Sequence, residues 1–370
     1  AVGVSTKLLN IDMKKSYSKE IQSEYNILRE RHKGKQAKTN WLTIEEARNN
    51  HKKIAWSDYS PITPNKLGIN AFHDYPLNEL VEYIDWTPFF VAWELAGKFP
   101  KILSDKIVGA EATRLYNDAQ IMLSKIINEK WFTAKGVYGL FPANSVNYDD
   151  IEIYTNEKRN NLLTTIHSLR QQTQKPPGQC NFALADFIAP KETKKNDYIG
   201  AFAVATGFNM EERIKQFEND HDDYSSIMLK ALADRFAEAF AERLHELVRK
   251  EYWGYTPNES LSHEKLISES YNGIRPAPGY PACPDHTEKE LLWKLIDVEE
   301  NAGIKLTESF AMYPTAAVSG WYFSHPDSRY FGLGKINRDQ IKNYAQRKGL
   351  DLKSIEKWLS PNLGYTPDNN

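Results

Sequence analysis

The sequence predicts an α+β fold: a single elongated domain with a mainly antiparallel sheet flanked by helices, preceded by a helical linker. Three observations predict it. Short β-branched and aromatic runs cluster in the middle of the chain and again near residue 320. Segments with apolar residues at helical spacing stand on either side of them. The two kinds of segment do not alternate regularly, as they would in a doubly wound sheet.

Residues 1–40 read as a linker from a preceding module and 41–370 as the domain itself. In the linker, Ser18 precedes a helical stripe of Ile21, Tyr25 and Leu28 that ends near Gly34. Thr43-Ile44-Glu45-Glu46 has the capping-box pattern. Residues 57–70, with Pro61 and Pro64, read as extended loop. One helix is expected over 76–84. A second starts at Thr87-Pro88, an N-cap followed by proline at the first helical position, and stops at Gly97. Asp85 stands between them. A helix over 110–130 puts Leu115, Ala119, Met122 and Ile126 on one face. Residues 136–141, 150–154 and 198–204 are strand candidates, and 162–172 is strand or helix. The clearest helix, 225–252, carries the stripe Met228, Leu232, Phe236, Phe240, Leu244 and Leu247. Another helix is expected over 287–301. Residues 317–323 and 330–336 flank a short connection and read as a hairpin or two adjacent strands. A final helical pair begins at Asn337 and ends at Pro361.

The chain has 370 residues, 41% of them hydrophobic and 26% charged, which is ordinary for a globular protein. A net charge of −2 argues against a general nucleic-acid binder. No run approaches the roughly 20 apolar residues that span a bilayer, and no apolar signal segment opens the chain. A soluble, cytoplasmic protein with no membrane or nucleic-acid partner is expected. Residues 1–60 hold 12 Lys/Arg against 7 Asp/Glu, a bias that suits an acidic partner or a solvated, partly mobile segment. Cys180 and Cys283 are too few for a disulfide framework or a zinc set and read as free thiols. The opening Ala1 suggests a piece of a longer polypeptide.

Familiar signatures are missing. There is no G-x-G-x-x-G after a strand, no P-loop, no HExxH, no closely spaced CxxC and no nucleophile elbow. Thr206-Gly207-Phe208, after a strand and before a helix, is only a faint echo of the first loop of a Rossmann-type methyltransferase. His221 with Asp220, Asp222 and Asp223 reads as a helix N-terminus before it reads as a metal site.

The segment from Arg275 to Pro284 is different. Pro276, Pro278, Pro281 and Pro284, with Gly279, cannot be helix or central strand. Each proline fixes its own φ and biases the residue before it toward extended geometry. The result is a stiff loop carrying an arginine, whose fork matches a carboxylate. A structural turn is the competing reading.

These residues, together with Tyr83-Ile84-Asp85-Trp86-Thr87-Pro88-Phe89-Phe90, Asp186-Phe187-Ile188-Ala189-Pro190, Asp222-Asp223-Tyr224-Ser225-Ser226 and Ser319-Gly320-Trp321-Tyr322-Phe323-Ser324-His325-Pro326, carry a family resemblance. From end to end the chain resembles the C-terminal activation domain of cobalamin-dependent methionine synthase. The resemblance implies an S-adenosyl-L-methionine site and a methyltransferase task. In that family, cobalamin occasionally oxidises and stalls. A flavodoxin-type or diflavin reductase supplies an electron, and the reduced cobalamin takes a methyl group from S-adenosylmethionine. No acid or base is needed for that step, so no catalytic residue is expected. Cobalamin belongs to another module of the polypeptide. Zinc belongs to a module whose cysteine-rich site is absent here. The chain is therefore expected to bind S-adenosylmethionine without making methionine alone. The alternative is an interaction module that mainly docks the electron donor. A stand-alone methyltransferase is a weaker third reading.

By the same resemblance, Asp85, Arg275, Tyr330 and Phe331 sit at the ligand site. Arg275 is expected to pair with the ligand carboxylate, and Asp85 to accept from the amine or a hydroxyl. Tyr330 and Phe331, on the expected 330–336 strand, are to touch the adenosyl part. Glu238 and Glu269 match acidic positions near the site. Ala277 and Tyr280 lie in the stiff loop, with Tyr280 the first candidate to face the corrin and His286 the second. Plainer roles compete: Asp85 as a helix cap, Arg275 in a structural ion pair, Tyr330 and Phe331 as one core and one surface residue, and Glu238 on a solvated helix face.

Overall fold

The computed structural model describes residues 2–32 and 40–368. Helices α1 (Val2–Leu9) and α2 (Ile11–His32) come first, and α2 runs through Ser18 rather than starting after it. Gly34, and with it the end of the expected linker helix, lies outside the described residues. α3 (Ile44–Asn49) is capped by Thr43, whose side chain accepts from the Glu46 amide while Glu46 reaches back to the Thr43 amide.

β1 (Gly68–Phe72) emerges from the end of the segment expected to be loop. Residues Leu77–Tyr83 form a 3₁₀ turn rather than an α-helix. α4 (Thr87–Ala92) is shorter than expected, because Glu94 adopts a left-handed conformation at φ 59°. Its cap position is Trp86, and Thr87 is already the first helical residue. α5 (Gly109–Glu129) buries Leu115, Ala119, Met122 and Ile126, as its spacing requires.

The sheet consists of β2 (Thr133–Val146), β3 (Asp150–Tyr154), β4 (Leu162–His167), β5 (Asp197–Phe208) and β8 (Ala317–Tyr322), in the order β4-β3-β2-β5-β8, with β1 also on β2. All pairs are antiparallel. β5 covers one edge of β2 over most of its length, so β1 and β3 share the other edge end to end. Between β5 and β8 come α6 (Glu211–Asn219), α7 (Asp223–Leu247), α8 (His263–Ile267), α9 (Glu288–Leu295), α10 (Val298–Ala302) and the small pair β6 (Lys305–Leu306) and β7 (Met312–Tyr313). The expected helix over 287–301 is broken where Asp297 takes φ 45°. α11 (Arg338–Lys348) and α12 (Leu352–Trp358) close the chain.

Both faces of the sheet are covered. Tyr138, Leu140, Phe202, Val204 and Tyr322 point to one side, against α5 and α7. Val137, Phe141, Ile199, Ala201 and Trp321 point to the other, against α9, α10 and residues 184–188. Alternate residues on each strand thus feed two cores, which is why the strands are apolar throughout. α7 starts where Asp222 accepts the Ser225 amide at 2.9 Å, the capping role its position suggested. It passes into a π-helical turn at Val248–Tyr252.

Residues 330–336 do not form the expected strand. The outer edge of β8 is already taken: Ile274 and Phe323 exchange backbone bonds, and the Trp321 amide donates to the Pro276 carbonyl at 2.9 Å. The 330–336 segment instead crosses over the proline loop, with the Leu333 amide on the Pro281 carbonyl at 2.8 Å. Among the described residues no helix is long and apolar enough to cross a membrane.

Candidate functional site

The proline loop is fastened on both sides, to β8 through Ile274 and Pro276 and to residue 333 through Pro281. Two glycines allow it. A Cβ on Gly320 of β8 would lie 2.8 Å from the Pro276 carbonyl oxygen. Gly279 has φ +96°, and a Cβ there would lie 2.4 Å from the His286 ring. The Gly279 amide closes the loop on the Cys283 carbonyl at 2.7 Å.

Two cavities adjoin this loop. One, of about 560 Å³, has mainly apolar walls that include Pro276, Pro278, Met312, Val318 and Phe331. The other, of about 320 Å³, is lined by charged groups that include Asp85, Arg235 and Glu242. Glu238, Glu269 and Arg275 border both. A polar compartment and an apolar compartment thus meet at one arginine and two carboxylates.

Of the expected site residues, Asp85, Glu238, Glu269 and Arg275 line the polar cavity, and Ala277, Tyr280, Tyr330 and Phe331 the apolar one. His286 lines neither. It packs behind the loop against Gly279, with its ring 3.4 Å from the Lys289 ammonium. Burial, and then Lys289, lower its pKa. Tyr330 and Phe331 reach the cavity from irregular chain rather than from a strand. The Tyr330 hydroxyl accepts the Arg275 amide at 3.0 Å, and Phe331 stacks on Phe182. Tyr280 is 63% exposed at the rim. Asp85 also performs the plainer role of accepting the Thr87 amide at 2.9 Å.

Arg275 is engaged by protein as well as facing the cavities. Its Nη2 lies 2.9 Å from Glu242 Oε2, and Nη1 donates to His245 Nδ1 at 3.2 Å and to the Tyr271 hydroxyl at 2.5 Å. Burial is the largest effect and opposes its charge, but Glu242 together with Tyr271, Tyr330 and Tyr322 outweighs it and the pKa rises. His245 is fully buried, and desolvation, with the Arg249 and Arg275 charges, holds its pKa well below the usual value. Its Nδ1 is therefore free to accept. Glu269 is pushed up by burial and partly restored by Arg275.

Glu242, His245 and Tyr271 were not expected at the site. Glu242 does lie one turn beyond Glu238 on α7, so the helix period held that signal. Lys289 and Ser319 also line the apolar cavity, and the Ser319 hydroxyl is buried with no hydrogen-bond partner among the described residues. No group of three or more His, Cys, Asp or Glu among the described residues is placed to hold a metal ion, and both cysteines are free.

The family model for the vitamin B12 dependent methionine synthase activation domain matches residues 76–349. The chain belongs to this family. It is also similar to a crystal structure of the MetH reactivation domain bound to AdoHcy, at 56% identity and a TM-score of 0.86. That match covers 89% of this chain and 100% of the other. The matched span of this activation domain contains both cavities and the proline loop, and the family's parent enzyme is a methyltransferase.

Proposed function

We propose that this activation domain binds S-adenosylmethionine across the two cavities and presents its methyl group to the cobalamin of another module. The observation that carries the reading is the arginine at the junction. S-adenosylmethionine has a zwitterionic amino-acid end, a cationic sulfur and an adenosyl group. The charged cavity suits the first, the apolar cavity suits the last, and both volumes fall in the range of small-molecule sites. Arg275 takes the carboxylate, and Asp85, Glu238 and Glu269 surround the ammonium and sulfonium. Walls of proline, Met312 and Phe331 take the adenosyl group. Support also comes from the related MetH structure, whose ligand, AdoHcy, has the same adenosyl and amino-acid ends.

Cobalamin, when delivered by its own module, supplies the nucleophile. The residues of this chain need only orient the donor in line and keep water away from the sulfonium, because the leaving group is already good. Tyr280, exposed on the stiff rim, is placed to meet the corrin. The cobalamin-binding module and a flavodoxin-type or diflavin electron donor are the proposed partners.

Isothermal titration of the chain with S-adenosylmethionine tests the reading. One site per chain is expected. Absence of binding at millimolar ligand would overturn it. Reactivation of a full-length enzyme carrying Arg275→Ala separates methyl donation from donor docking. Lost reactivation with electron-donor binding intact supports methyl donation, whereas lost docking with ligand binding intact favours a docking module.

A further inference from the structure

Arg275 leaves an irregular loop on a side chain with about 2 kcal/mol of rotamer entropy. Something must hold it if it is to meet a ligand in one orientation. A guanidinium has five N–H groups. Both on Nη1 of Arg275 are used by protein, by His245 and Tyr271, and Nη2 makes an ion-pair contact with Glu242 at 2.9 Å. Among the described residues Nε has no hydrogen-bond acceptor, and Nη2 keeps a hydrogen to donate. These two donors sit on neighbouring nitrogens, the pair that a carboxylate accepts in bidentate fashion.

We infer that Glu242 is a positioning residue for ligand recognition, acting on the ligand carboxylate through Arg275. The inference rests on the proposed S-adenosylmethionine site. Glu242 stands within α7, a helix of 25 residues packed on the sheet, so its carboxylate is fixed by a rigid element rather than by the loop it restrains. Its side chain is only 12% exposed and that of Arg275 16%, so the ion pair is largely shielded from water. The neighbouring acids explain why the position matters. Glu238 and Glu269 border both cavities together with Arg275. With Glu242 gone, they are the competing anions, and either would draw the guanidinium into the space the ligand needs. Glu242 pulls the other way, toward the helix, where His245 and Tyr271 complete the cradle.

The test compares two ligands on the same chain. S-adenosylmethionine has the carboxylate. 5′-Methylthioadenosine has the adenosyl and thioether groups without the amino-acid end. Glu242→Ala is expected to weaken S-adenosylmethionine binding about tenfold or more while changing methylthioadenosine binding less than about twofold. Glu242→Gln keeps an oxygen for Nη2 and is expected to restore most of the loss. Arg275→Ala combined with Glu242→Ala is expected to bind no more weakly than Arg275→Ala alone, because both act on one contact. An equal loss for both ligands, no loss at all, or additive losses would overturn the inference. If circular dichroism shows Glu242→Ala to be unfolded, Tyr271→Phe takes its place. It removes one acceptor from Nη1, and a loss of about threefold confined to S-adenosylmethionine is expected, with an unselective loss or none counting against the inference. Wild-type protein that binds neither ligand would sink the proposed function itself. Wild-type binding that is indifferent to Glu242 would sink only the positioning role.

Discussion

Arg170 is fully buried and Arg275 partly so, and both are paired with carboxylates, yet they sit in regions of opposite character. All five N–H groups of Arg170 have protein acceptors: Asp149 from Nε, Asn181 and Asp186 from Nη1, and Tyr148 and Asp186 from Nη2, at 2.7–2.9 Å. Its own backbone is bracketed by Gln340 of α11, and Arg48 of α3 shares Asp149. That network ties the start of the domain, the sheet and the C-terminal helices together. Nothing is left over for a ligand. Arg275 has two hydrogen bonds from Nη1, an ion-pair contact of Nη2 with Glu242, and two cavities beside it. A saturated arginine is a fastener, and the proposed function makes the one held but unsaturated at a cavity wall a receptor.

The sharpest way to break this contrast is to remove each arginine and read stability and binding separately. Arg170→Ala leaves Asp186 buried without its cation and Asp149 with Arg48 alone, and a stability loss of about 3–5 kcal/mol in urea unfolding is expected. Ligand affinity of whatever remains folded should be unchanged. Arg275→Ala should do the reverse. It is expected to weaken S-adenosylmethionine binding by roughly 2–4 kcal/mol, with a smaller shift of the urea midpoint, because Glu242 borders a cavity that water can enter. A binding loss below about tenfold would count against the carboxylate role. If both variants lose stability alike and neither changes affinity, Arg275 is a second fastener and the distinction fails.

The two regions also differ in how far local pattern reveals them. The proline loop announces itself, because four prolines in ten residues exclude regular structure whatever surrounds them. The stripe on α7 is equally local, and the helix stands where its period puts it. What defeats local reading is competition between distant segments. Residues 330–336 are rich enough in strand formers to pair, but the edge of β8 they would use is held by Ile274 and Pro276, some 50 residues earlier. β1 was hidden for a related reason: Gly68–Phe72 becomes a strand only because β2 is long enough to offer an edge beside β3. The family resemblance pointed to Asp85, Arg275, Tyr330 and Phe331, and the fold brings all four to the cavities. Glu242 and His245 escaped notice because their partner lies about thirty residues away in the chain. For Arg170, nothing in the sequence marks Asp149 and Asp186 as its acceptors.

A final difference between the networks is titratable. The Arg275 cradle contains a buried histidine that accepts from Nη1, whereas the groups bonded to Arg170 are carboxylates and backbone carbonyls. Desolvation, Arg249 and Arg275 hold the His245 pKa well below 6.5 in the folded chain. In the unfolded chain the ring titrates near its ordinary value of about 6.5. Between the two values the unfolded state binds a proton that the folded state refuses. Stability from this residue is therefore fully present above pH 6.5 and falls as pH is lowered, by at most about 1.4 kcal/mol per pH unit. His245→Gln keeps a neutral acceptor near Nη1 and removes the titration. Urea unfolding of this variant should depend less on pH between about 6.5 and 5 than that of the wild type, by close to one proton's worth of slope. A slope that survives in His245→Gln would mean that the ring is charged when folded, and it would then be a donor facing Nη1 across 3.2 Å, which the cradle as drawn does not allow.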